Sequence, residues 1–168
     1  QSAKTTAQVF TYGKSGNICL SSKEEVLSEQ PSTALNVVTP TREFTTTMLA
    51  VGATHVSAAL CAIAVAEVMH IETDLVVAGI ASYKPVAGRL NVFAGLKRSI
   101  LIDDTYNAAP DSMHEALQLF AHFPGAHKIA VLGDMLELGE LFNEAHKVVG
   151  LEVARINPSH LVTVGAGG

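Results

Sequence analysis

The 168-residue sequence contains no tryptophan, and aromatic residues make up only 5% of it. Its two cysteines, Cys19 and Cys61, lie far apart, with no CxxC pair and no His/Cys spacing beside them. This pattern indicates neither a disulfide framework nor a zinc site, and we expect reduced thiols in a cytoplasmic protein. No HxxxH or HxH spacing occurs either, so we expect no metal site formed by this chain.

Clustered basic residues and long apolar runs are missing as well. The net charge is −5 at pH 7, with no basic run, which argues against a nucleic-acid partner. The longest apolar run covers residues 58–66 and is far shorter than the roughly 20 residues that span a bilayer. We therefore predict a buried helix at this run and no membrane partner.

Apolar residues nevertheless account for 48% of the chain, enough for a core in one domain or in parts of two. The first 51 residues contain segments rich in Thr, Val and Leu, which favour strands, whereas residues 21–32 are polar and predicted to be a loop. The predicted strands are 7–12, 34–38 and 44–51. Two helices are expected next, at 54–71 with Thr54 as the N-cap and at 72–81.

A break in the pattern at residues 82–88 predicts a domain junction. The elements predicted beyond it are strands at 90–93, 99–102, 128–132 and 161–164, and helices at 110–122 and 142–156. Counted from residue 99, the order β-α-β-α-β predicts an α/β fold with a parallel sheet.

Acidic residues directly follow two of these strands. Asp103 and Asp104 end the strand at 99–102, and Asp134 follows Gly133 after the next strand. Parallel strands end at a common edge, where open α/β sheets bind ligands, so these side chains are expected at one site. Because neighbouring residues of a strand alternate, Asp103 and Asp104 are expected to point to opposite faces. A turn-forming and helix-capping pair is an equally good interpretation.

Arg89 lies at the predicted junction, just before a strand. Its planar guanidinium suits a phosphate group, because the fork donates two hydrogen bonds at once. A surface salt bridge is the simpler alternative, and the residue alone does not decide between them.

Four stretches of the second half resemble motifs of the Mur ligase family. The sequence DDTYNAAPDS at 103–112 matches one motif, with Ala109 in place of the family's asparagine, and VLGDMLELG at 131–139 matches another. The GRL sequence at 88–90 matches the start of the family's C-terminal domain. The HxxVG motif is matched at 146–150.

One segment of the first half departs from the family pattern. The family has G-x-H-N at the start of a helix of its central domain, and this chain has Thr54 in place of that histidine and His55 in place of the asparagine.

The resemblance implies that residues 1–84 are the closing part of a Mur ligase central ATPase domain. Residues 85–168 would form a truncated, Rossmann-like C-terminal domain. The phosphate-binding loop and the UDP-binding domain of the family would then lie outside this chain.

The resemblance also implies an activity. The Asp-Asp-Thr-Tyr form favours the member that adds D-alanyl-D-alanine to UDP-N-acetylmuramoyl-tripeptide in peptidoglycan precursor synthesis. ATP and Mg²⁺ would be the cofactors of the complete enzyme, an acyl phosphate would be its intermediate, and a monomer is expected.

Site residues follow from the same resemblance. Arg89 would meet the ATP phosphates and act as the catalytic residue. Asp104 would bind the ribose, Asp103 and Tyr106 would shape that pocket, and His55 would lie near the adenine. The candidates on the dipeptide side are Asn107, Asp134 and Glu137.

Two alternatives stay open. The chain could come from another Mur-type ligase with a different amine donor, or it could be a non-catalytic nucleotide-binding module.

We expect the chain alone to be inactive, because the implied phosphate-binding loop is not in it. Incubation with ATP, UDP-N-acetylmuramoyl-tripeptide and D-alanyl-D-alanine should release no phosphate. Phosphate release above the enzyme-free background would contradict this prediction.

Overall fold

The computed structural model of the chain describes residues 6–167. These residues form two compact units: 6–26 with 31–84, and 27–30 with 85–167. Each unit has its own apolar core. No helix within residues 6–167 is both long enough and apolar enough to cross a bilayer.

The first unit contains a three-stranded antiparallel sheet in the order β1-β2-β3. Its strands are β1 (Cys19–Val26), β2 (Ser32–Val38) and β3 (Glu43–Met48). Side chains of β2 alternate as expected for a strand with one buried face, and Leu35 and Val37 are fully buried.

Two strand predictions in this unit are wrong. Most of β1 lies in the segment predicted as a loop. The side chains of this strand are largely exposed, so its polar sequence shows no alternation of buried and exposed residues. Its ladder with β2 supplies the backbone hydrogen bonds instead. The strand predicted at 7–12 does not form; only Tyr12 makes an isolated bridge, to Ile18.

Two helices complete the first unit, α1 (Ala53–Val68) and α2 (Thr73–Ala81). Both were predicted, but the N-cap of α1 is Gly52, with φ 104°, rather than Thr54. The buried residues of α1 include Ile63 and Leu60, which join the sheet side chains in one apolar core.

A buried ion pair links the sheet to both helices. The Arg42 Nε donates to Glu67 at 3.1 Å, and another guanidinium nitrogen donates to the Ile71 carbonyl at 2.7 Å and to Thr73 at 2.9 Å. Burial acts to raise the pKa of Glu67. Hydrogen bonds from Thr41 and Thr39 and the charge of Arg42 outweigh it and hold the pKa below its ordinary value.

The second unit alternates strands and helices. Its elements are β4 (Asn91–Ala94), β5 (Ile100–Asp103), α3 (Pro110–His122), β6 (Ile129–Gly133), α4 (Phe142–Ile156) and β7 (His160–Val164), with short 3₁₀ turns at Leu96–Arg98 and Gly139–Leu141. The mixed α/β class predicted from the sequence is confirmed, and each predicted element is present within a few residues. Leu117 of α3 and Val149 and Val153 of α4 pack with Met135 in the core.

The pairing of the strands differs in part from the prediction. β6 and β7 form the expected parallel ladder, but β5 pairs antiparallel with β4. Among the described strands, β5 has no ladder with β6. Both strands, together with α3, border a cavity of the second unit.

Replacing Glu67 by Gln should lower the unfolding free energy of the first unit by about 3 kcal/mol, because Arg42 would keep its charge without the carboxylate. The pH dependence has a definite sign. Since the folded-state pKa is lowered, Glu67 stabilises the unit above its ordinary pKa of about 4.3, and this contribution disappears as the pH falls through the lowered value.

Urea unfolding followed through the amide signals of α1 measures both effects. The Lys23→Ala control removes the surface ion pair with Glu25. It should lower the unfolding free energy of the first unit by less than about 0.5 kcal/mol. Equal losses in the two variants would contradict the prediction.

Candidate functional site

The ends of three strands open into one cavity of the second unit, with a volume of about 480 Å³. Its lining includes the loop after β5, the end of β6 and Val164 at the end of β7. The predicted meeting of strand ends at one site is therefore found, although β5 does not share a ladder with the other two. Asp104, Tyr106, Asn107 and Asp134 all line this cavity.

Asp103 uses its carboxylate to hold backbone. One oxygen accepts the Gly88 N–H at 3.0 Å, and the other accepts the N–H and the hydroxyl of Thr105 at 3.2 and 2.7 Å. The Thr105 hydroxyl lowers the pKa of Asp103; burial opposes it, and the Thr105 and Gly88 amides lower it further, so the net shift is downward. The side chain is thus a fixed anion that joins two segments.

Asp104 acts on the same segment. Its Oδ1 accepts the Leu90 N–H at 3.0 Å. Of the two neighbouring carboxylates, Asp104 lines the cavity at the strand ends. Together they fix the residues on both sides of Arg89.

Arg89 lies between two residues in the left-handed region, Gly88 at φ 75° and Leu90 at φ 46°. Leu90 is a non-glycine residue held there by burial and by its bond to Asp104. The exposed Arg89 side chain lies over the ring of Tyr106, with Cζ 3.9 Å from the ring centroid. The guanidinium is thus held at the loop that follows β5.

Gly88 is required by a close approach as well as by its φ. The Tyr106 N–H donates to the Gly88 carbonyl at 3.1 Å. A Cβ at position 88 would lie 3.0 Å from the Tyr106 nitrogen and 3.2 Å from its Cβ. In the sequence, Gly88 is recognisable only as part of a motif. Its contact with Tyr106 is not evident from the sequence.

Asp134 belongs to a second carboxylate cluster, after β6. Its oxygens accept the backbone N–H groups of Ala166 at 2.8 Å and Gly167 at 2.9 Å. The Gly167 and Ala166 amides lower the pKa of Asp134, and burial only partly opposes them. Asp134 therefore ties the loop after β6 to the loop after β7.

His146 supports this cluster from α4, a role that the sequence analysis did not assign. Its Nε2 accepts the Met135 N–H at 3.0 Å, and Nδ1 lies 2.7 Å from the Phe142 carbonyl. An Nδ1–H tautomer satisfies both contacts, since one nitrogen then accepts and the other donates. Of the other dipeptide-side candidates, Asn107 lines the cavity, whereas Glu137 is exposed in the neighbouring loop at φ 62°.

His55 lies in the first unit, buried near the start of α1. Its Nδ1 is 3.0 Å from the Tyr83 hydroxyl, and both side chains line an apolar cavity of about 360 Å³ beside α1 and α2. Burial raises the pKa of Tyr83, so its hydroxyl stays protonated near neutral pH. Tyr83 is a partner that the sequence pattern did not reveal.

Residues 88–167 match the family model described as "Mur ligase, glutamate ligase domain". This part of the chain therefore belongs to the Mur ligase family, and the predicted resemblance is confirmed.

Within that family, the similar proteins include MurF enzymes. The chain is 32% identical to the UDP-N-acetylmuramoyl-tripeptide–D-alanyl-D-alanine ligase of Escherichia coli strain K12 over 133 residues, or 79% of this chain and 29% of the relative. MurF from Acinetobacter baumannii matches with a TM-score of 0.84 at 30% identity, over 95% of this chain and 34% of that chain.

A MurF ligase from Thermotoga maritima in complex with ADP matches with a TM-score of 0.72 at 29% identity, over 86% of this chain and 33% of that chain. The chain thus spans about a third of the length of the proteins that it matches.

Replacing Gly88 by Ala should lower the unfolding free energy of the second unit by about 1–2 kcal/mol, since the new Cβ is strained at positive φ and crowds Tyr106. Gly150→Ala is the matched control: position 150 lies inside α4 with open space around a Cβ. It should raise stability by about 0.5–1 kcal/mol. Urea unfolding followed at β5 and α4 amides tests both, and effects of the same sign would contradict the prediction.

Proposed function

We propose that this chain is part of a MurF-type ligase, which uses ATP to join D-alanyl-D-alanine to UDP-N-acetylmuramoyl-tripeptide during peptidoglycan precursor synthesis. The observation that carries the proposal is the exposed Arg89 guanidinium of a MurF-like chain. It lies on the Tyr106 ring, and two carboxylates hold the backbone on both sides of the residue. A cytoplasmic location is part of the same proposal.

Domain roles form part of the same proposal. Residues 1–84 would be the closing part of the central ATPase domain, and residues 85–168 part of the C-terminal domain. The match of residues 88–167 to the family model supports the second assignment. The match to the Acinetobacter baumannii MurF over 95% of the chain supports the first.

The residues around Arg89 fit a nucleotide. Its guanidinium is exposed and fixed in direction, as needed to contact phosphate oxygens. Asp104 lines the cavity at the end of β5, where a carboxylate can accept ribose hydroxyls. In the first unit, His55 and Tyr83 line a separate apolar cavity, and the family resemblance is what supports a role of His55 near the adenine.

The chemistry supplied by ATP is activation of the acceptor carboxylate as an acyl phosphate. Arg89 would stabilise the negative charge that develops on the transferred phosphoryl group. Asp103 and Tyr106 would shape the pocket in which Asp104 binds the ribose. Among residues 6–167, no group of three or more His, Cys, Asp and Glu side chains is placed to hold a metal.

The dipeptide side of the proposed site is the loop after β6. Asn107 offers an amide that can both donate and accept, and it lines the same cavity as Asp134. Asp134 already accepts two backbone amides, so we propose that it orders this loop for the dipeptide. Glu137 is exposed on that loop and is the carboxylate proposed to face the incoming amine.

A hybrid ligase tests the proposal: the Escherichia coli relative with its matching segment replaced by this chain. Arg89→Ala should lower kcat/KM for ATP by about 10²-fold, the size of effect seen when one donor to a developing charge is removed. Arg98→Ala is the matched control, since Arg98 is also an exposed arginine of the second unit, and it should leave turnover within about twofold.

Phosphate release coupled to D-alanyl-D-alanine addition is the measurement. A hybrid that folds but does not add D-alanyl-D-alanine to UDP-N-acetylmuramoyl-tripeptide would overturn the proposed substrate pair. Equal rates in the Arg89 and Arg98 variants would remove Arg89 from the site.

A further inference from the structure

We infer that Tyr106 is a positioning residue: its ring holds the Arg89 guanidinium in the direction from which it acts on the nucleotide. This inference rests on the proposed function for the action of Arg89. The stack itself is an observation of the structure.

The ring is placed for this contact and not for packing. Tyr106 is 69% exposed, and neither apolar core cluster includes it. Its face lies 3.9 Å from the Arg89 Cζ, well inside the distance of about 6 Å at which a cation is attracted to an aromatic face. An exposed aromatic side chain that serves no core is explained by this contact.

The backbone brings the two side chains together. The N–H of Tyr106 donates to the Gly88 carbonyl, one residue before Arg89, and the Gly88 N–H is held by Asp103. The missing Cβ at Gly88 lets the Tyr106 backbone approach. The stack therefore sits on a frame of hydrogen bonds that does not depend on the Tyr106 ring.

This separation makes the role of the ring testable. Tyr106→Leu removes the aromatic face but keeps the backbone bond to Gly88, so the unit should fold. Tyr106→Phe keeps the face and removes only the hydroxyl. If the ring positions Arg89, the two variants must differ, and the difference must vanish when Arg89 is absent.

The structural readout uses the chain itself. Protons above an aromatic face are shielded, so the Arg89 side-chain Nε–H signal should lie upfield of the other arginine signals. We expect it to move to the range of the other arginines in Tyr106→Leu and to stay upfield in Tyr106→Phe. Phe93→Leu, a matched loss of a partly exposed ring on β4, should leave the signal in place.

The kinetic readout uses the hybrid ligase. An exposed cation–π contact is worth a factor of about two to five, so Tyr106→Leu should lower kcat by about fivefold with little change in KM for ATP. Tyr106→Phe should restore kcat to within about twofold of the parent. In an Arg89→Ala background, Tyr106→Leu should have no further effect on kcat.

The outcomes separate the inference from the proposed function. An Arg89 signal unmoved by Tyr106→Leu, equal losses in Tyr106→Phe and Tyr106→Leu, or an undiminished effect in the Arg89→Ala background would each overturn the inference. Unchanged turnover in Arg89→Ala alone would instead overturn the proposed role of Arg89, whatever the spectrum shows.

Discussion

The second unit depends on the hydrogen bond from the Gly88 N–H to the Asp103 carboxylate. Gly88 adopts a backbone conformation that few residues tolerate, and a carboxylate that accepts several donors holds it there. The companion bond from Leu90 to Asp104 holds a left-handed residue that has a side chain. The cost of the left-handed backbone at Leu90, on the order of 1–3 kcal/mol, is offset by its charge-assisted hydrogen bond to Asp104.

The same device recurs at the end of β6. Asp134 accepts the amides that follow β7, and His146 accepts the amide of Met135, so two strand ends and the start of α4 are tied together. In both clusters hydrogen bonds stabilise a carboxylate as an anion and lower its pKa. The Thr105 hydroxyl has the largest effect at Asp103, and backbone N–H groups have it at Asp134. The carboxylates at the strand ends thus hold backbone amides in place, whereas the side chain of Arg89 is exposed and charged.

Sequence periodicity predicted the elements of the second unit because α3 and α4 have one buried face each and β6 and β7 follow them in regular order. It failed at β1, whose exposed polar residues carry no burial pattern. The stack of Arg89 on Tyr106 and the pair of His55 with Tyr83 join residues distant in sequence, and no local pattern encodes such contacts.

The structure also explains why the motif at 103–106 needs its particular residue types. Asp103 and Asp104 bind the amides on either side of Arg89, and Thr105 donates to Asp103. Tyr106 contacts the guanidinium with its ring and the preceding carbonyl with its amide. Every one of these contacts leads to the segment around Arg89, directly or through Asp103. A substitution of Asp103, Thr105 or Tyr106 therefore alters the surroundings of one guanidinium, even where the changed side chain touches no ligand.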